Sequence, residues 1–351
     1  YFSMIMVKVW RFKEKRPVYL LSIVFGLFIW FLGGLHDALR VAGMAILIKG
    51  QILWLASFWL SVFLTIAVTL HFRTLELAVR ESRDVFERFV PPAYLRRIAT
   101  EGLGSIRLGH ADQQWVTILC CDIRGFTSLS EQLAPMELIA FVNRLFDRIT
   151  HVVNRLQGVI DKFLGDAVLC IFEGSNSADR AVACGVDILA EVKSFRAEED
   201  GPSDQTVQVS IGLHAGPVIL GTIGSTERMD STVLGLTVNL AKRFEEATRP
   251  LGVDMLISDQ VASLLPDTST HRLRNLGKVS VRGSLEPVSI VEVYDQDPPE
   301  IRDFKDQVKP IMAEGMELLN TGNLHEALLK FQKAQSIFPQ DLPLRLLIIS
   351  L

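Results

Sequence analysis

Two long apolar stretches near the start of the chain predict membrane-spanning helices. Residues 18–35 and 51–70 carry no charged side chain, and each is close to the ~20 residues that cross a bilayer core. The residues that precede the first run are rich in positive charge, namely Lys8, Arg11, Lys13, Lys15 and Arg16. The link between the runs offers only Arg40 and Lys49. Since basic residues stay on the cytoplasmic side, both ends of this 1–71 segment are expected to face the cytoplasm. A pair of buried core helices is the alternative.

A heptad-like pattern follows the second run. Apolar or small residues recur at spacings of three and four, with charged residues between them, at Phe72, Leu75, Val79, Ser82, Phe86 and Phe89. This pattern predicts a short parallel coiled coil within a linker at 72–109. Pro91-Pro92 ends the helix, because proline cannot donate a backbone hydrogen bond. The alternative is one amphipathic helix that lies on its own domain.

The pattern from Trp115 to Tyr294 predicts an α+β domain, which we assign to residues 110–296. The predicted elements are a strand at 115–123, a helix at 135–156, a hairpin of strands at 159–163 and 167–172, a strand at 207–213 and a helix at 237–248. We assign these elements to a ferredoxin-like sheet with additions, in which the order is strand, helix, hairpin, helix and strand.

A helical unit is predicted at residues 304–351. Small and aromatic residues fall at the spacing of a tetratricopeptide helix-turn-helix, at Gly315, Gly322, Ala327, Phe331, Ala334 and Pro339. Such repeats need neighbours to bury their faces. A lone unit is therefore either a cap docked on the domain before it or the start of an array. It is also a candidate to bind a protein partner.

The composition favours a protein of about two domains that contacts lipid and does not bind nucleic acid. A length of 351 residues suits about two domains, and the mean hydropathy of +0.28 agrees with lipid contact. The net charge of −4 gives no basic field and predicts no nucleic-acid partner. The cysteines lack metal-site spacing and are expected to be reduced core residues. No small-residue cleavage site follows the basic stretch, so no signal peptide is expected.

Two aspartates are the first candidates for chemistry. Asp122 follows a buried strand, and Asp166 lies in the turn of the hairpin. Carboxylates at neighbouring strand ends can bind magnesium, which favours a few carboxylates together with substrate phosphate oxygens. Each aspartate also has a structural alternative, since Asp122 can cap the next helix and Asp166 can serve the Gly-Asp turn.

Four ordered segments resemble the class III adenylyl and guanylyl cyclase family over residues 110–294. They read VTILCCDIRGFTSLSE from Val116, DKFLGDAVLCIF from Asp161, IGLHAGPVILGTIGS from Ile211, and RMDSTVLGLTVNLAKRFE from Arg228. The resemblance implies the cyclase catalytic fold. It also implies two Mg²⁺ or Mn²⁺ ions per active site, held by Asp122, Asp166 and the backbone carbonyl of Ile123.

The resemblance assigns the nucleotide contacts as well. Lys162 and Thr232 match the positions that read the purine, and lysine with threonine favours ATP over GTP. Asn239 and Arg243 match the pair that positions the ribose and stabilises the transition state. Arg282 resembles a basic contact to the triphosphate. Backbone donors at residues 123–127, which include Phe126 and Thr127, are candidates to hold phosphate at the start of a helix.

In this family the metal aspartates and the base-reading residues of one site come from two chains, so a homodimer is implied. The resemblance therefore predicts an adenylate cyclase that makes 3′,5′-cyclic AMP and pyrophosphate from ATP, as a multi-pass protein of the cell membrane with its catalytic domain in the cytoplasm. The alternatives are a guanylate or mixed-specificity cyclase and a non-catalytic dimeric signalling module. Leu236 and Ser231 depart from the family pattern, and altered loop packing is expected there.

Overall fold

The computed structural model describes residues 18–44, 53–89, 111–198, 207–225, 227, 229–266, 271–279 and 287–351. The chain divides into two compact units, one that ends at Phe89 and one that begins at Val90. Arg282, the basic stretch at 8–16, Lys49 and Pro91-Pro92 lie outside the described residues.

The N-terminal unit contains two helices that pack side by side. Helix α1 spans Val18–Val41 and α2 spans Leu53–Phe89. The ring centroids of Phe25 and Phe63 are 5.5 Å apart, edge to face. At the other end of the pair, the backbone N–H of Leu53 donates to Asp37 Oδ2 at 2.9 Å. As α1 runs from Phe25 to Asp37, its partner on α2 changes from Phe63 back to Leu53, so the two helices are antiparallel.

Both helices are long and apolar enough to cross a membrane by length and composition. Large apolar side chains point outward from them, since Trp54 is 69% exposed and Phe58 is 58% exposed. Helix α2 is 37 residues long and runs without a break through the position where we predicted the anchor to give way to the linker. The predicted helix at Phe72–Phe89 is therefore the second half of α2, and its pairing with a second chain stays a prediction.

The second unit is built around one mixed sheet. Its strands are β1 Ala111–Ile123, β2 Val159–Leu164, β3 Ala167–Glu173, β4 Val209–Gly224, β5 Met229–Leu234, β6 Met255–Ser258, β7 Leu273–Val279 and β8 Val288–Val293. The helices are α3 Phe126–Gln132, α4 Pro135–Arg155, α5 Ser177–Glu198, α6 Leu236–Leu251, α7 Asp259–Ser263, α8 Pro299–Asn320, α9 Leu324–Ile337 and α10 Leu342–Ser350.

The strand order is β2-β3-β1-β4-β6-β8-β7, and β5 pairs with β4. The β4–β6 pair is parallel, and the other pairs are antiparallel. Strands β1 to β4 with helices α4 and α5 follow the βαββαβ order of a ferredoxin-like sheet. Helix α5 lies between the hairpin and β4, where the sequence analysis named no helix. Strand β4 is longer than the predicted 207–213 strand, because Pro217 and several glycines interrupt its apolar alternation without ending it.

Alternation along β1 decides which helix each side chain meets. Leu119 and Cys121 belong to the core with α4 and α5, whereas Ile118 and Cys120 belong to the core on the α6 side. Because side chains alternate between the faces of a sheet, Asp122 lies on the α6 side. Helix α6 approaches closely at Gly212, where a Cβ atom would lie 2.1 Å from the backbone N of Glu245. Any larger residue there would push α6 away from the sheet.

The C-terminal helices share a core with α6 and the far edge of the sheet. Leu240 and Phe244 of α6 belong to one apolar cluster with residues of β6 to β8 and of α8 to α10. Arg274 of β7 lies beneath this layer and is 1% exposed. Its guanidinium donates to Glu292 Oε2 at 2.8 Å and to both carboxylate oxygens of Asp341. The C-terminal helices are thus docked on α6 and the sheet, and the repeat unit itself stays a prediction.

Candidate active site

Strand β1 and the β2–β3 turn bring Asp122 and Asp166 together. Asp122 is opposite Ala167 in the β1–β3 register, and the Ile123 N–H donates to the carbonyl oxygen of Asp166 at 3.4 Å. Burial and then the charge of Asp122 raise the pKa of Asp166 above its ordinary value. Gly165 precedes it at a φ of 69°, which glycine adopts without strain. Asp122 does not cap the next helix, whose N-cap is Gly125.

The donor set of this pair suits magnesium or manganese. Asp122 is 9% exposed, and its buried Oδ1 has no hydrogen-bond partner among the described residues. Within the described part of the chain there is no group of three or more His, Cys, Asp or Glu that could hold a metal. Two carboxylates with open coordination positions match an ion that also binds substrate phosphates, whereas an all-protein calcium or zinc cage would need more ligands.

Three residues of α6 that the sequence reasoning missed surround Asp122. Arg249 Nη2 lies 2.9 Å from Asp122 Oδ2, and Lys242 Nζ lies 3.5 Å from the same oxygen. Lys242 also donates to Glu245 Oε2 at 2.6 Å. Spacings of three and four place these residues on one helix face. That spacing is visible in the sequence, but nothing in it says which face of α6 meets the sheet.

Lys162 and Thr232 meet within one chain. Lys162 Nζ donates to Thr232 Oγ1 at 2.8 Å, although 70 residues of sequence separate them. Asp161 Oδ2 lies 3.4 Å from the same ammonium group. Burial raises the pKa of Asp161, and the charge of Lys162 opposes that shift. The pairing places one donor and one hydroxyl acceptor beside each other, as recognition of a purine edge requires.

Asn239 and Arg243 lie one turn apart on α6, next to the residues that contact Asp122. Arg243 Nη1 donates to Glu246 Oε2 at 2.6 Å, and Asn239 is exposed. Arg243 is one residue on from Lys242, which corresponds to a rotation of about 100° around the helix. Arg243 thus lies about a quarter turn around α6 from Lys242, which contacts Asp122, and its own ion-pair partner is Glu246.

Exposed apolar side chains lie close to Lys162 and Thr232 in sequence. Large hydrophobic residues on β1, β2, β4, β5 and the start of α6 are more than a third exposed, namely Trp115, Phe163, Leu164, Ile219, Ile223, Leu234 and Leu236. Phe163 follows Lys162, and Leu234 lies two residues after Thr232. Such a concentration of exposed apolar residues is typical of a protein–protein interface.

The remaining predicted positions lie at the first turns of α3 and α6. Phe126 and Thr127 form the first turn of α3, a helix of 7 residues. Leu236, at a position where the family usually has aspartate, begins α6 and is 54% exposed. A further residue that we missed is Arg124, whose guanidinium binds Ser210 Oγ at 2.8 Å and Asp254 at 3.2 Å. These contacts fix the backbone directly after Ile123.

Comparison with known families identifies the domain. The profile of the family described as Adenylate and Guanylate cyclase catalytic domain matches residues 109–294, more than half of the chain. An adenylate cyclase of Anabaena cylindrica is 37% identical over 220 residues, which cover 61% of this chain and 44% of that protein. The terminal-differentiation specific adenylate cyclase of Dictyostelium discoideum is 30% identical over 270 residues, which cover 76% of this chain and 13% of that protein. The chain thus spans less than half of the length of either relative.

A solved structure of a bacterial light-regulated adenylyl cyclase has the same fold. It superposes with a TM-score of 0.58 at 26% sequence identity, over 67% of this chain and 68% of that chain.

Proposed function

Because the chain belongs to the adenylate and guanylate cyclase catalytic domain family, we propose that it is an adenylate cyclase, which converts ATP to 3′,5′-cyclic AMP and pyrophosphate. The contact between Lys162 Nζ and Thr232 Oγ1 at 2.8 Å carries the choice of ATP. Adenine presents a ring acceptor beside an amino donor. The lysine donates to the first, and the threonine hydroxyl accepts from the second.

Asp122, Asp166 and the carbonyl of Ile123 are the groups proposed to hold Mg²⁺ or Mn²⁺. When bound, the two ions supply Lewis-acid activation of the ribose 3′-hydroxyl and neutralise phosphate charge. The buried Asp122 Oδ1 without a hydrogen-bond partner among the described residues supports this role. The backbone N–H groups of Phe126 and Thr127 lie in the first turn of α3, where N–H groups lack intrahelical acceptors, and they are proposed to bind phosphate. Arg282 is proposed as a further phosphate contact.

The active site is proposed to form between two chains. Arg243 pairs with Glu246 rather than with Asp122 of its own chain, and its partly exposed guanidinium is proposed to reach the phosphates bound by a second chain. There it stabilises the charge that develops on the phosphorane-like transition state, while Asn239 positions the ribose. The exposed apolar side chains near Lys162 and Thr232 support a homodimer in which each chain completes the site of the other.

The N-terminal helices are proposed to anchor the enzyme in the cell membrane, with both ends and the catalytic domain in the cytoplasm. Their outward apolar side chains support the anchor, and the exposed Phe72, Leu75 and Val79 of α2 support a coiled coil between two chains. Helices α8 and α9 are proposed to be a tetratricopeptide-like unit that binds a protein partner. Gly315 supports this assignment, because its Cβ would lie 2.5 Å from the ring of Phe331.

The direct test is a nucleotide competition with the purified full chain. Equal ATP and GTP would be supplied with Mg²⁺ or Mn²⁺, and both cyclic products quantified by mass spectrometry. Cyclic AMP as the main product is expected. Cyclic GMP in comparable amount would indicate mixed specificity, which the weak acceptor Thr232 makes the second candidate. No product from a folded dimer with either metal would refute the enzyme proposal and favour a non-catalytic signalling module.

Replacement of Lys162 tests the reading of the base. Lys162→Glu removes the donor to the adenine ring and is expected to lower kcat/KM for ATP by about 10- to 100-fold, the usual worth of a hydrogen bond to a charged group. The ratio of ATP to GTP turnover should fall with it. Lys278→Glu, the same charge change at an exposed position of β7, is the matched control and should leave the ratio unchanged. An unaltered ratio in Lys162→Glu would contradict the assignment.

A further inference from the structure

Two cationic side chains of α6 contact the carboxylate that the proposed metal ion needs. Arg249 Nη2 and Lys242 Nζ approach Asp122 Oδ2 at 2.9 and 3.5 Å. Asp122 Oδ1 is open to a metal ion, but an ion bound there would lie close to both of these positive groups, and like charges repel. The two cations therefore oppose metal binding at Asp122, and opening of one contact would relieve that repulsion.

The two cations differ in how firmly they are held. Lys242 is tied to Glu245, whose side chain is 0% exposed, by a 2.6 Å ion pair. Loss of Lys242 would leave that buried carboxylate without its cation. The side chain of Arg249 is 49% exposed, and it lies in the last turn of α6. An outward rotation into solvent would cost Arg249 little, because its charge would be rehydrated.

We propose that Arg249 is a positioning residue that holds Asp122 while no metal is bound and competes with the metal ion for it. This inference rests on the proposed metal site. In the metal-free protein, the guanidinium of Arg249 offsets part of the repulsion between Asp122 and Asp166. When the ion arrives, Arg249 turns outward and Lys242 stays with Glu245. The apparent metal affinity is then lower than the two aspartates alone would give.

The test measures metal binding without turnover. Free Mn²⁺ would be titrated by electron paramagnetic resonance against the full chain in detergent, without nucleotide. Arg249→Gln is expected to bind Mn²⁺ roughly fivefold more tightly than the unaltered chain, as removal of one partly exposed ionic competitor implies. Arg249→Lys keeps the charge and should return the affinity toward that of the unaltered chain.

A matched control separates this effect from a general loss of an ion pair. Arg155 Nη2 also lies 2.9 Å from an aspartate Oδ2, that of Asp187, on the far side of the domain core between α4 and α5. Arg155→Gln should leave Mn²⁺ affinity unchanged. In turnover assays, Arg249→Gln should lower the Mn²⁺ concentration for half-maximal rate more than it changes kcat. A merely structural role of Arg249 would not produce that split.

Two results would overturn the inference, and they differ in what else they affect. If Asp122→Asn abolishes Mn²⁺ binding but Arg249→Gln binds no more tightly than the unaltered chain, the competition is refuted and the metal site stands. If the unaltered chain shows no Mn²⁺ binding that depends on Asp122, the metal site and the competition both fail.

Discussion

Asp122→Ala chains and Arg243→Ala chains are each expected to lose cyclic AMP formation by about 10³-fold, and a mixture of the two is expected to regain activity. Asp122→Ala removes a proposed metal ligand, and Arg243→Ala removes the cation proposed to stabilise the transition state. Each is worth several kcal/mol of charge stabilisation, and every ~1.4 kcal/mol corresponds to a factor of ten. Neither variant should lose its fold. Arg243 is partly exposed, and the two cations that contact Asp122, Lys242 and Arg249, can be hydrated by solvent when the aspartate is removed.

The fraction of cyclase activity that the mixture recovers follows from the proposed homodimer, which has two equivalent sites. With random pairing of equal amounts, half of the dimers contain one chain of each kind, and one of their two sites has both intact residues. About a quarter of the activity of the unaltered dimer should therefore return. Asp112→Ala, at the exposed start of the same strand, is the control and should keep full activity. Failure of the mixture to exceed either variant alone, although mixed dimers form, would contradict the shared site.

Arg274→Met is expected to destabilise the second unit by about 3–5 kcal/mol, the usual effect of removing one member of a buried ion pair. Its side chain is 1% exposed, between Glu292 and Asp341, which are equally buried. Burial raises the pKa of Asp341, and the charge of Arg274 counteracts that shift. Without the guanidinium, Asp341 must take up a proton or leave the interface, so α10 should loosen from the sheet.

The measurement is the midpoint of thermal unfolding of the full chain, together with the rate of limited proteolysis between α9 and α10. Arg155→Met, which removes an exposed Arg–Asp pair, is the control and should change the stability by less than about 1 kcal/mol. A similar small effect for Arg274→Met would show that the buried ion network contributes little to docking of the C-terminal helices.

The sequence predicted the first half of the catalytic sheet well because its signals are local. The apolar run at 116–123 marks the buried part of β1, although the strand begins earlier than predicted, with the exposed residues from Ala111. Gly165 and Asp166 mark the turn between β2 and β3. Strand β4 was predicted too short because Pro217 and the glycines of that strand resemble a turn. Their place in the strand depends on β1, which pairs Trp115 with Pro217. Long-range pairing of this kind has no local signature.

The sequence predicted those parts of the candidate site that lie in the segments that resemble the cyclase family. Asp122 with Asp166, and Lys162 with Thr232, are neighbours in space as the family resemblance implied. Arg249 was missed because the rotation of α6 about its own axis is decided by the contact at Gly212, not by the helix sequence alone. Arg274 and Glu292 look like ordinary outward charges of a strand, and only the packing of α8 to α10 buries them.

The unbroken course of α2 has a consequence for torsion along the molecule. The helix contains 37 residues and neither glycine nor proline, so no kink is expected within its length of about 55 Å. In the proposed membrane-spanning arrangement, a bilayer core takes about 30 Å of that length, and the rest of the helix rotates together with the part inside the membrane. A twist applied at Leu53 should therefore arrive at Phe89 undiminished, and insertion of one residue near Phe72 would advance the phase of Phe89 by about 100°.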